Sequence, residues 1–346
     1  MYRIVTENIV QENTVKNITI ADVAEALGVS KTTVSRAISG KGRIGAETRE
    51  KVLAYIEEHN YTPNVIAKSL AQSKTYNIGV MIPSEYDIID LPFFQSCLFG
   101  IQEIAATMDY DILLTISKPE DTSQLERIVT NRKVDGVILM RTFVDDKQAK
   151  MLAKRGIPFA TIGGTNVKEA IQVDQDHQSA CKELTSILLM KKMKRIALVG
   201  GDEKHVVTQK RLNGYLEAFK EAHVPVAEDL IYLGMNNPVL LDQKIEEILK
   251  KGADCIISMD DALCGSVLKK LRAEHVKVPR DIKVASFYNS SVLENNVPSI
   301  TSLSFDEKEL GMVACRELMN AIEEKEINRA TTLGYQVILR ESTLQA

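Results

Sequence analysis

Three aspartates stand at positions where their carboxylates could take part in catalysis or ligand binding. Asp260 and Asp261 close the apolar run CIISMDD, and Asp174 closes the run IQVD. Two such carboxylates could act as the general acid and base of a glycosidase, or their oxygens could accept hydrogen bonds from the hydroxyl groups of a sugar. Nothing in the sequence fixes the separation that a glycosidase pair needs, and Asp261 could equally cap the following helix. Because acids at strand ends are common in binding clefts, we favour binding over hydrolysis.

Other enzyme motifs give no support. The GGDE at 200–203 lacks the aromatic residue that should follow in a nucleotide cyclase, and the chain has no GxxxxGK[ST] loop. The five histidines show no HExxH or triad spacing, and the five cysteines are scattered without a CxxC. We therefore expect no enzyme activity, no metal and no cofactor, and we interpret the cysteines as reduced structural thiols.

A second group of polar residues indicates nucleic-acid binding. The stretch TIADVAEALGVSKTTVSR, residues 19–36, has apolar residues at three- and four-residue steps, which predicts a short helix, a turn at Gly28 and a second helix capped by Ser30. The apolar residues of the second helix can face the first. Its polar residues then point outward at the N-terminal end: Lys31, Thr32, Ser35 and Arg36. This pattern predicts a helix-turn-helix, and the alternative is a helical hairpin with a solvated polar face.

The flanking sequence supports the nucleic-acid interpretation. A third amphipathic helix is predicted over 46–60, with Val52, Leu53 and Ile56 closing a three-helix core. Residues 17–74 carry eight basic and six acidic side chains, whereas residues 75–346 have a net charge of −6. A locally basic head on a mildly acidic body fits a protein whose head contacts phosphate.

A short, weak helix is predicted beyond the third helix. Pro63 disfavours helix before it, Asn64 can cap it, and the segment 65–71 carries the small Ala67 and the apolar Leu70. Because isolated helices below about 12–15 residues are marginal in water, we expect this segment to fold only against a partner.

From residue 77 onward, short apolar runs alternate with amphipathic segments. Two such βα series in tandem predict two doubly wound parallel-sheet lobes with a ligand between them, at the carboxyl ends of the strands. The predicted strands cover 77–83, 110–116, 135–141, 158–164, 194–201, 229–234, 254–260 and 282–287. The predicted helices cover 93–108, 121–132, 145–155, 176–190, 207–222, 238–251 and 261–274.

The chain resembles the lactose-repressor (LacI/GalR) family of bacterial transcription regulators. The family patterns TIxDVAxxAGVSxxTVSR, ETRxKVxxxIxxxxYxPN and AxSL are nearly all present, and the resemblance extends from Asn17 to the C-terminus. It implies a dimeric repressor of carbohydrate-utilisation genes with a periplasmic-binding-protein-like body, a palindromic DNA operator and a small sugar-like effector. It also implies that the helix over 306–324 returns to lobe one and that the strand over 333–342 returns to lobe two.

The resemblance also implies which residues bind. The implied DNA contacts are Thr19, Ser30, Lys31, Thr32, Thr33, Ser35, Arg36, Asn64, Ala67 and Leu70. The implied effector contacts are Phe93, Phe94, Asp174, Arg211, Asp260, Asp261, Tyr288 and Asn289. The sequence departs from the family where SFYNS replaces the usual GYDD or GFDD and where Asp90 and Leu91 replace an asparagine. The segments DLPFF and SFYNS resemble regulators of maltose and other α-glucoside operons.

The predicted organisation has four parts. Residues 1–16 form a disordered extension or follow a misplaced start codon, 17–62 form the helix-turn-helix domain, 63–75 the hinge helix and linker, and 76–346 the effector-binding body. In the body, lobe one covers 76–174 and 304–330, and lobe two covers 175–303 and 331–346. The chain has no apolar run of eighteen residues, as a transmembrane helix needs, and its first residues lack the apolar core of a signal peptide. We therefore expect a cytoplasmic protein without a membrane partner.

Two alternatives to an effector-controlled repressor remain open from the sequence. One is a regulator controlled by a phosphorylated carrier protein that docks on lobe one. The other is a sugar-binding protein without a DNA role, against which the helix-turn-helix pattern argues.

Overall fold

The computed structural model of the chain describes residues 18–40, 42–59, 61, 73–84, 92–118 and 120–344. The predicted extension and most of the predicted hinge, including Asn64, Ala67 and Leu70, lie outside these ranges. The chain divides after Lys74 into two compact units. We call the first unit the head and the second the body.

The head contains three helices whose starts are fixed by local hydrogen bonds. They are α1 (Ile20–Ala26), α2 (Lys31–Ser39) and α3 (Ala46–Glu58). The Thr19 side chain accepts a hydrogen bond from the Asp22 amide, and the Thr19 amide donates to the Asp22 carboxylate at 2.7 Å, which forms a capping box. Gly28 turns the chain with a φ of +63°, and the Ser30 hydroxyl accepts from the Thr33 amide at 3.1 Å. The predicted turn and the Ser30 cap are confirmed.

Each helix of the head contributes to one small core. Its buried residues are Val23, Ala24, Val34, Ala37, Val52 and Tyr61. Leu53, which the sequence predicted to join this core, is 42% exposed, so that prediction is wrong. Val52 and Ile56 lie four residues apart and share the inner face of α3, whereas Leu53 lies about 100° around the helix from Val52.

Two six-stranded sheets form the body, one in each lobe. Lobe one contains β1 (Asn77–Pro83), α4 (Pro92–Ala106), β2 (Asp111–Ser117), α5 (Ser123–Thr130), β3 (Gly136–Leu139), α6 (Lys147–Arg155), β4 (Phe159–Ile162), β5 (Ile171–Gln175), α12 (Glu307–Ile322) and β11 (Ala330–Leu333). The strand order is β11-β5-β4-β3-β1-β2, and every neighbouring pair is parallel. The central strands β3 and β4 are buried along their whole length because helices cover both faces of such a sheet.

Lobe two repeats this architecture with one difference at its edge. It contains α7 (His177–Met190), β6 (Ile196–Val199), α8 (Val206–Glu221), β7 (Ile231–Tyr232), α9 (Pro238–Lys250), β8 (Cys255–Ser258), α10 (Asp261–Ala273), β9 (Lys283–Ser286), α11 (Ser291–Glu294), β10 (Thr301–Ser304) and β12 (Gln336–Ile338). The order is β12-β10-β9-β8-β6-β7, and β12 runs antiparallel to β10. Within the described residues, the predicted fold class is confirmed: a helical head and two doubly wound lobes.

The C-terminal segment corrects the predicted lobe boundary. Residues 333–342 do not form one strand: β11 pairs with β5 in lobe one, and β12 pairs with β10 in lobe two. Lobe two therefore resumes after Gly334 and not at Thr331. The sequence also missed β5 and β10 as strands, because IQVDQ and TSLS mix polar and apolar residues. The chain passes between the lobes after β5, after β10 and between β11 and β12.

Helices α4 and α12 pack backbone against backbone in lobe one. A Cβ atom placed on Gly100 would lie 2.0 Å from the carbonyl oxygen of Lys308, and one placed on Gly311 would lie 2.1 Å from the carbonyl oxygen of Cys97. A glycine on each helix therefore receives a carbonyl from the other, and no larger residue fits at either position without movement of the backbone.

Candidate functional site

A cavity of about 110 Å³ lies between the lobes at the carboxyl ends of their strands. This volume is several times what one water molecule requires. Lobe one contributes Asp174 near the end of β5 and residues that follow β3 and β4, and lobe two contributes residues that follow β6, β8 and β9. The location agrees with the expectation for parallel sheets, whose ligands bind at strand ends.

Aromatic side chains from both lobes form one wall. The ring of Phe93 lies edge-on to Phe94 at 5.2 Å between centroids and edge-on to Tyr288 at 6.2 Å. Phe94 is buried, and the guanidinium of Arg141 lies 5.3 Å from the centre of its ring. Since Phe93 belongs to lobe one and Tyr288 to lobe two, this wall crosses the interface between the lobes.

Arg211 is the buried cation on the lobe-two side of the cavity. It lies on α8, is 8% exposed, and donates from Nη1 to the backbone carbonyl of Met259. Among the described residues, its Nε has no hydrogen-bond partner. Burial lowers the pKa of the guanidinium, and the Asp260 carboxylate opposes that shift. A buried donor without a partner is costly, so this atom favours a ligand that supplies an acceptor.

Asp174 organises the opposite side of the cavity. Its Oδ2 accepts hydrogen bonds from the Gly164 amide at 3.0 Å and from Lys210 Nζ at 2.5 Å, and its Oδ1 accepts from the Gln175 amide at 2.8 Å. Lys210 lies on α8, so this ion pair also connects lobe one to lobe two. The ring of His177 lies 3.9 Å from Asp174, and burial lowers the pKa of that imidazole.

Asp260 and Asp261 both line the cavity, but they differ in environment. Asp260 caps α10, because its Oδ1 accepts a hydrogen bond from the Leu263 amide at 2.8 Å. The capping role that the sequence considered for Asp261 therefore belongs to its neighbour. Burial raises the pKa of Asp261.

Seven of the eight predicted effector contacts line the cavity: Phe93, Phe94, Asp174, Arg211, Asp260, Asp261 and Tyr288. Asn289 does not, and its predicted placement is wrong. Its Nδ2 donates to Glu294, and its Oδ1 accepts hydrogen bonds from Ser302 and from Arg340. Through its hydrogen bond with Arg340, Asn289 thus connects the C-terminal segment to the rest of lobe two.

The head presents polar residues along α2, and Arg36, which the sequence placed at the N-terminal end, lies in the last turn of that helix. The side chains of Lys31, Thr32, Ser35 and Arg36 are exposed, Thr33 is half-buried, and Thr19 and Ser30 serve as caps. Helix α2 has no acidic residue in its first turn. The N-terminal end of a helix carries partial positive charge, so this surface is suited to phosphate.

Comparison with known proteins identifies the family. Residues 19–64 match the family described as bacterial regulatory proteins, lacI family, and residues 185–343 match the periplasmic binding protein-like domain. The chain is 32% identical to catabolite control protein A of Streptococcus mutans over 324 residues, which cover 91% of this chain and 96% of that protein. It is 31% identical to the transcriptional regulator MalR of Streptococcus pneumoniae, over 90% and 95% of the two chains. The chain belongs to the LacI family.

Solved structures of LacI-family proteins share the fold. The transcriptional regulator CelR in complex with cellobiose superposes with a TM-score of 0.72 at 26% identity and covers 94% of this chain and 99% of its own. The lac repressor dimer bound to operator superposes with a TM-score of 0.79 at 22% identity, over 95% and 100% of the two chains. The present chain is accordingly a DNA-binding transcriptional regulator.

Several cavity residues of this LacI-family regulator were missed by sequence reasoning. They are Arg141, Thr142, His177, His205 and Thr208. Arg141 and Thr142 follow β3 closely, so the strand-end rule could have found them. His205 follows its strand by a longer loop, and only the fold brings it to the cavity. Burial, reinforced by the charge of Arg141, lowers the pKa of His205 to about 4.

Two features are absent from the described part of this LacI-family chain. No cluster of three or more histidine, cysteine or carboxylate side chains there could hold a metal ion. No helix there is long and apolar enough to cross a bilayer. All five cysteines are buried as free thiols, and burial raises the pKa of each.

Proposed function

We propose that the protein is a repressor of carbohydrate-utilisation genes whose affinity for a palindromic DNA operator is set by a small sugar in the cavity. The observation that carries this proposal is the composition of the cavity: an aromatic wall lies together with buried hydrogen-bonding groups that include the Nε of Arg211. The cellobiose complex of CelR supports a sugar as the ligand class.

The aromatic wall and the hydrogen-bonding groups of the cavity match the apolar face and the hydroxyl groups of a sugar. The C–H face of a sugar ring packs against aromatic rings such as Phe93 and Tyr288. Its hydroxyl groups can accept hydrogen bonds from the planar fork of Arg211 and can donate to Asp260. The cavity as arranged selects a polar ring and disfavours a purely apolar ligand, which would leave the Arg211 donor unsatisfied.

In the head, Lys31, Thr32 and Arg36 are the residues we assign to base edges. They are exposed on α2, the helix that corresponds to the recognition helix of helix-turn-helix proteins, with Lys31 and Thr32 in its first turn and Arg36 in its last turn. The contacts proposed for Asn64, Ala67 and Leu70 remain predictions from the sequence.

A homodimer completes the proposal. Lobe one exposes Phe99 on α4, and Leu114 and Ile116 on the edge strand β2, with Phe99 66% exposed. Neighbouring exposed apolar residues on an edge strand and the helix that contacts it are typical of a protein interface. A dimer also matches the two-fold symmetry of a palindromic operator.

A thermal-shift screen of the full chain against neutral sugars and sugar phosphates tests the ligand. A sugar present at about 100 times its Kd should stabilise the protein by about 2.7 kcal/mol. Arg211→Ala should abolish the effect of that sugar on operator affinity and leave unliganded DNA binding near normal. A full response in Arg211→Ala would remove Arg211 from the site. A screen without any stabilising sugar would contradict the proposal and favour control by a carrier protein.

A further inference from the structure

A short piece of backbone pairing joins the two lobes beside the cavity. The amide of Val144 donates to the carbonyl of Lys204 at 2.9 Å, and the amide of Val206 donates to the carbonyl of Thr142 at 3.2 Å. We call this pairing the strap. It consists of residues 142–144 of lobe one and residues 204–206 of lobe two.

Side chains reinforce the strap. Phe143 and His205 lie opposite each other as an isolated antiparallel bridge, and their rings stand 5.2 Å apart. His205 is 2% exposed, and its Nδ1 lies 3.0 Å from Nη1 of Arg141. The strap therefore combines two backbone hydrogen bonds, one ring contact and one polar contact between side chains.

The strap borders the cavity directly, because its residues Thr142 and His205 line it. It also belongs to neither sheet, so it can part while both sheets stay intact. When the lobes part, water can replace the partners of its backbone groups. The net stabilisation from two such hydrogen bonds is modest, so the strap adds only a small free-energy cost to opening.

We propose that the strap is the gate of the cavity. It parts to admit a ligand and re-forms beside it, so that the residues lining the cavity and the residues closing it are partly the same. Thr142 and His205 belong to both groups. This inference deepens the proposed function, because it rests on the cavity being the effector site.

The sequence of α8 allows the strap to be weakened without damage to the helix. Val206 is the first residue of α8, a position where proline is tolerated because its amide has no partner within the helix. The preceding His205 has φ −79° and ψ +130°, which a following proline favours. Val206→Pro therefore removes one strap donor and leaves the helical hydrogen bonds in place.

Gate opening can be measured with neither ligand nor DNA. Thr208 lines the cavity and is buried, and the five natural cysteines are buried, so Thr208→Cys places a reporter thiol inside. The reaction of this thiol with DTNB follows the population of the open state when closing is fast. In the Thr208→Cys chain, Val206→Pro should speed the reaction about fivefold, the factor that corresponds to one net hydrogen bond.

Two controls match the change. Lys147→Pro puts proline at the first residue of α6, outside the strap, and should leave the rate as in the Thr208→Cys parent. Phe143→Ala removes the ring contact and should also speed the reaction, whereas Val144→Ala, whose side chain is 54% exposed, should leave it unchanged because it keeps its strap amide.

The proposal is overturned if Val206→Pro and Phe143→Ala both react within twofold of the parent rate. If Val206→Pro does not fold, the comparison of Phe143→Ala with Val144→Ala decides alone. The outcome is separable from the proposed function, since the sugar screen can fail while the strap still controls access to Thr208→Cys.

Discussion

The polar residues proposed to bind are exposed in the head and buried in the body. In the head, Lys31 in the first turn of α2 and Arg36 in its last turn are exposed and contribute little to the core. In the body, Asp174 and Arg211 are buried between two sheets and hold hydrogen bonds to backbone groups. Under the proposed function, recognition is thus separable from stability in the head and coupled to it in the body.

Solvation explains this difference. An exposed cation keeps its water until phosphate arrives, so its contribution to binding falls with salt. A buried carboxylate has lost its water on folding and depends on every partner that replaces it. A ligand in the cavity therefore meets groups that are already desolvated and fixed in direction, which favours specificity.

The largest expected effect is the loss of Asp174. Asp174→Ala leaves the Gly164 and Gln175 amides without their acceptor and Lys210 without its ion-pair partner. We expect a loss of about 3 kcal/mol in the unfolding free energy of the body, measured by urea denaturation. Asp174→Asn keeps an acceptor oxygen and should cost less. A loss below about 1 kcal/mol for Asp174→Ala would contradict the proposal that the cavity residues of the body also stabilise its fold.

A pH series should reveal the buried His205. Its pKa of about 4 lies below the unfolded value of about 6.5, so the unfolded chain binds more protons between these values. The stability contributed by the neutral imidazole is complete above about pH 6.5 and is lost as the pH falls towards 4, by up to about 3 kcal/mol. Other groups titrate in the same range, so the measurement is the difference between the chain and His205→Gln. Parallel stability curves for the two proteins would show that His205 does not contribute.

In the head, Arg36→Ala should weaken specific operator binding by about 1–3 kcal/mol with an unchanged melting temperature. Lys51→Ala is the matched control, because Lys51 is an exposed cation on α3 and the change in net charge is the same. Binding to operator and to random duplex at fixed salt distinguishes the roles. Equal losses on both duplexes would make Arg36 a phosphate contact, and a lowered melting temperature would contradict the separation of recognition from stability.

The smallest effect is expected at Leu53. Because this side chain is 42% exposed, Leu53→Gln should change the stability of the head by less than about 0.5 kcal/mol. Val52→Ala, one residue away and fully buried, should cost about 1–3 kcal/mol. Thermal unfolding of the two variants measures this difference. Similar losses of stability in both would show that Leu53 is part of the core.

The sequence predicted most of the head because its contacts are local. The capping residues, the turn glycine and the apolar steps all lie within a few residues of the groups they position. The error at Leu53 arose because an apolar residue beside the core face fits the helical period almost as well as one on it. In the body, apolar runs predicted the central strands of both sheets, whereas β5 and β10 have no such run.

Long-range contacts explain the remaining errors at the site. Asn289 follows a strand end and so resembled a ligand contact, but its partner Arg340 lies 51 residues later in the chain. His205 reaches the cavity through pairing with Phe143 of the other lobe, which no local pattern encodes. The strand-end rule predicts where a cleft lies, and only the tertiary fold decides which side chains turn into it.

The glycine contacts between α4 and α12 restrict how the body can deform. Sliding one helix along the other by one residue would bring a side chain to a place where only a hydrogen atom fits, at Gly100 and at Gly311 together. Shear between these two helices is therefore blocked in both directions, and the pair keeps a single register. The aromatic ring of Phe93 at one end of α4 and the exposed ring of Phe99, six residues later, therefore cannot shift along α12 independently of each other.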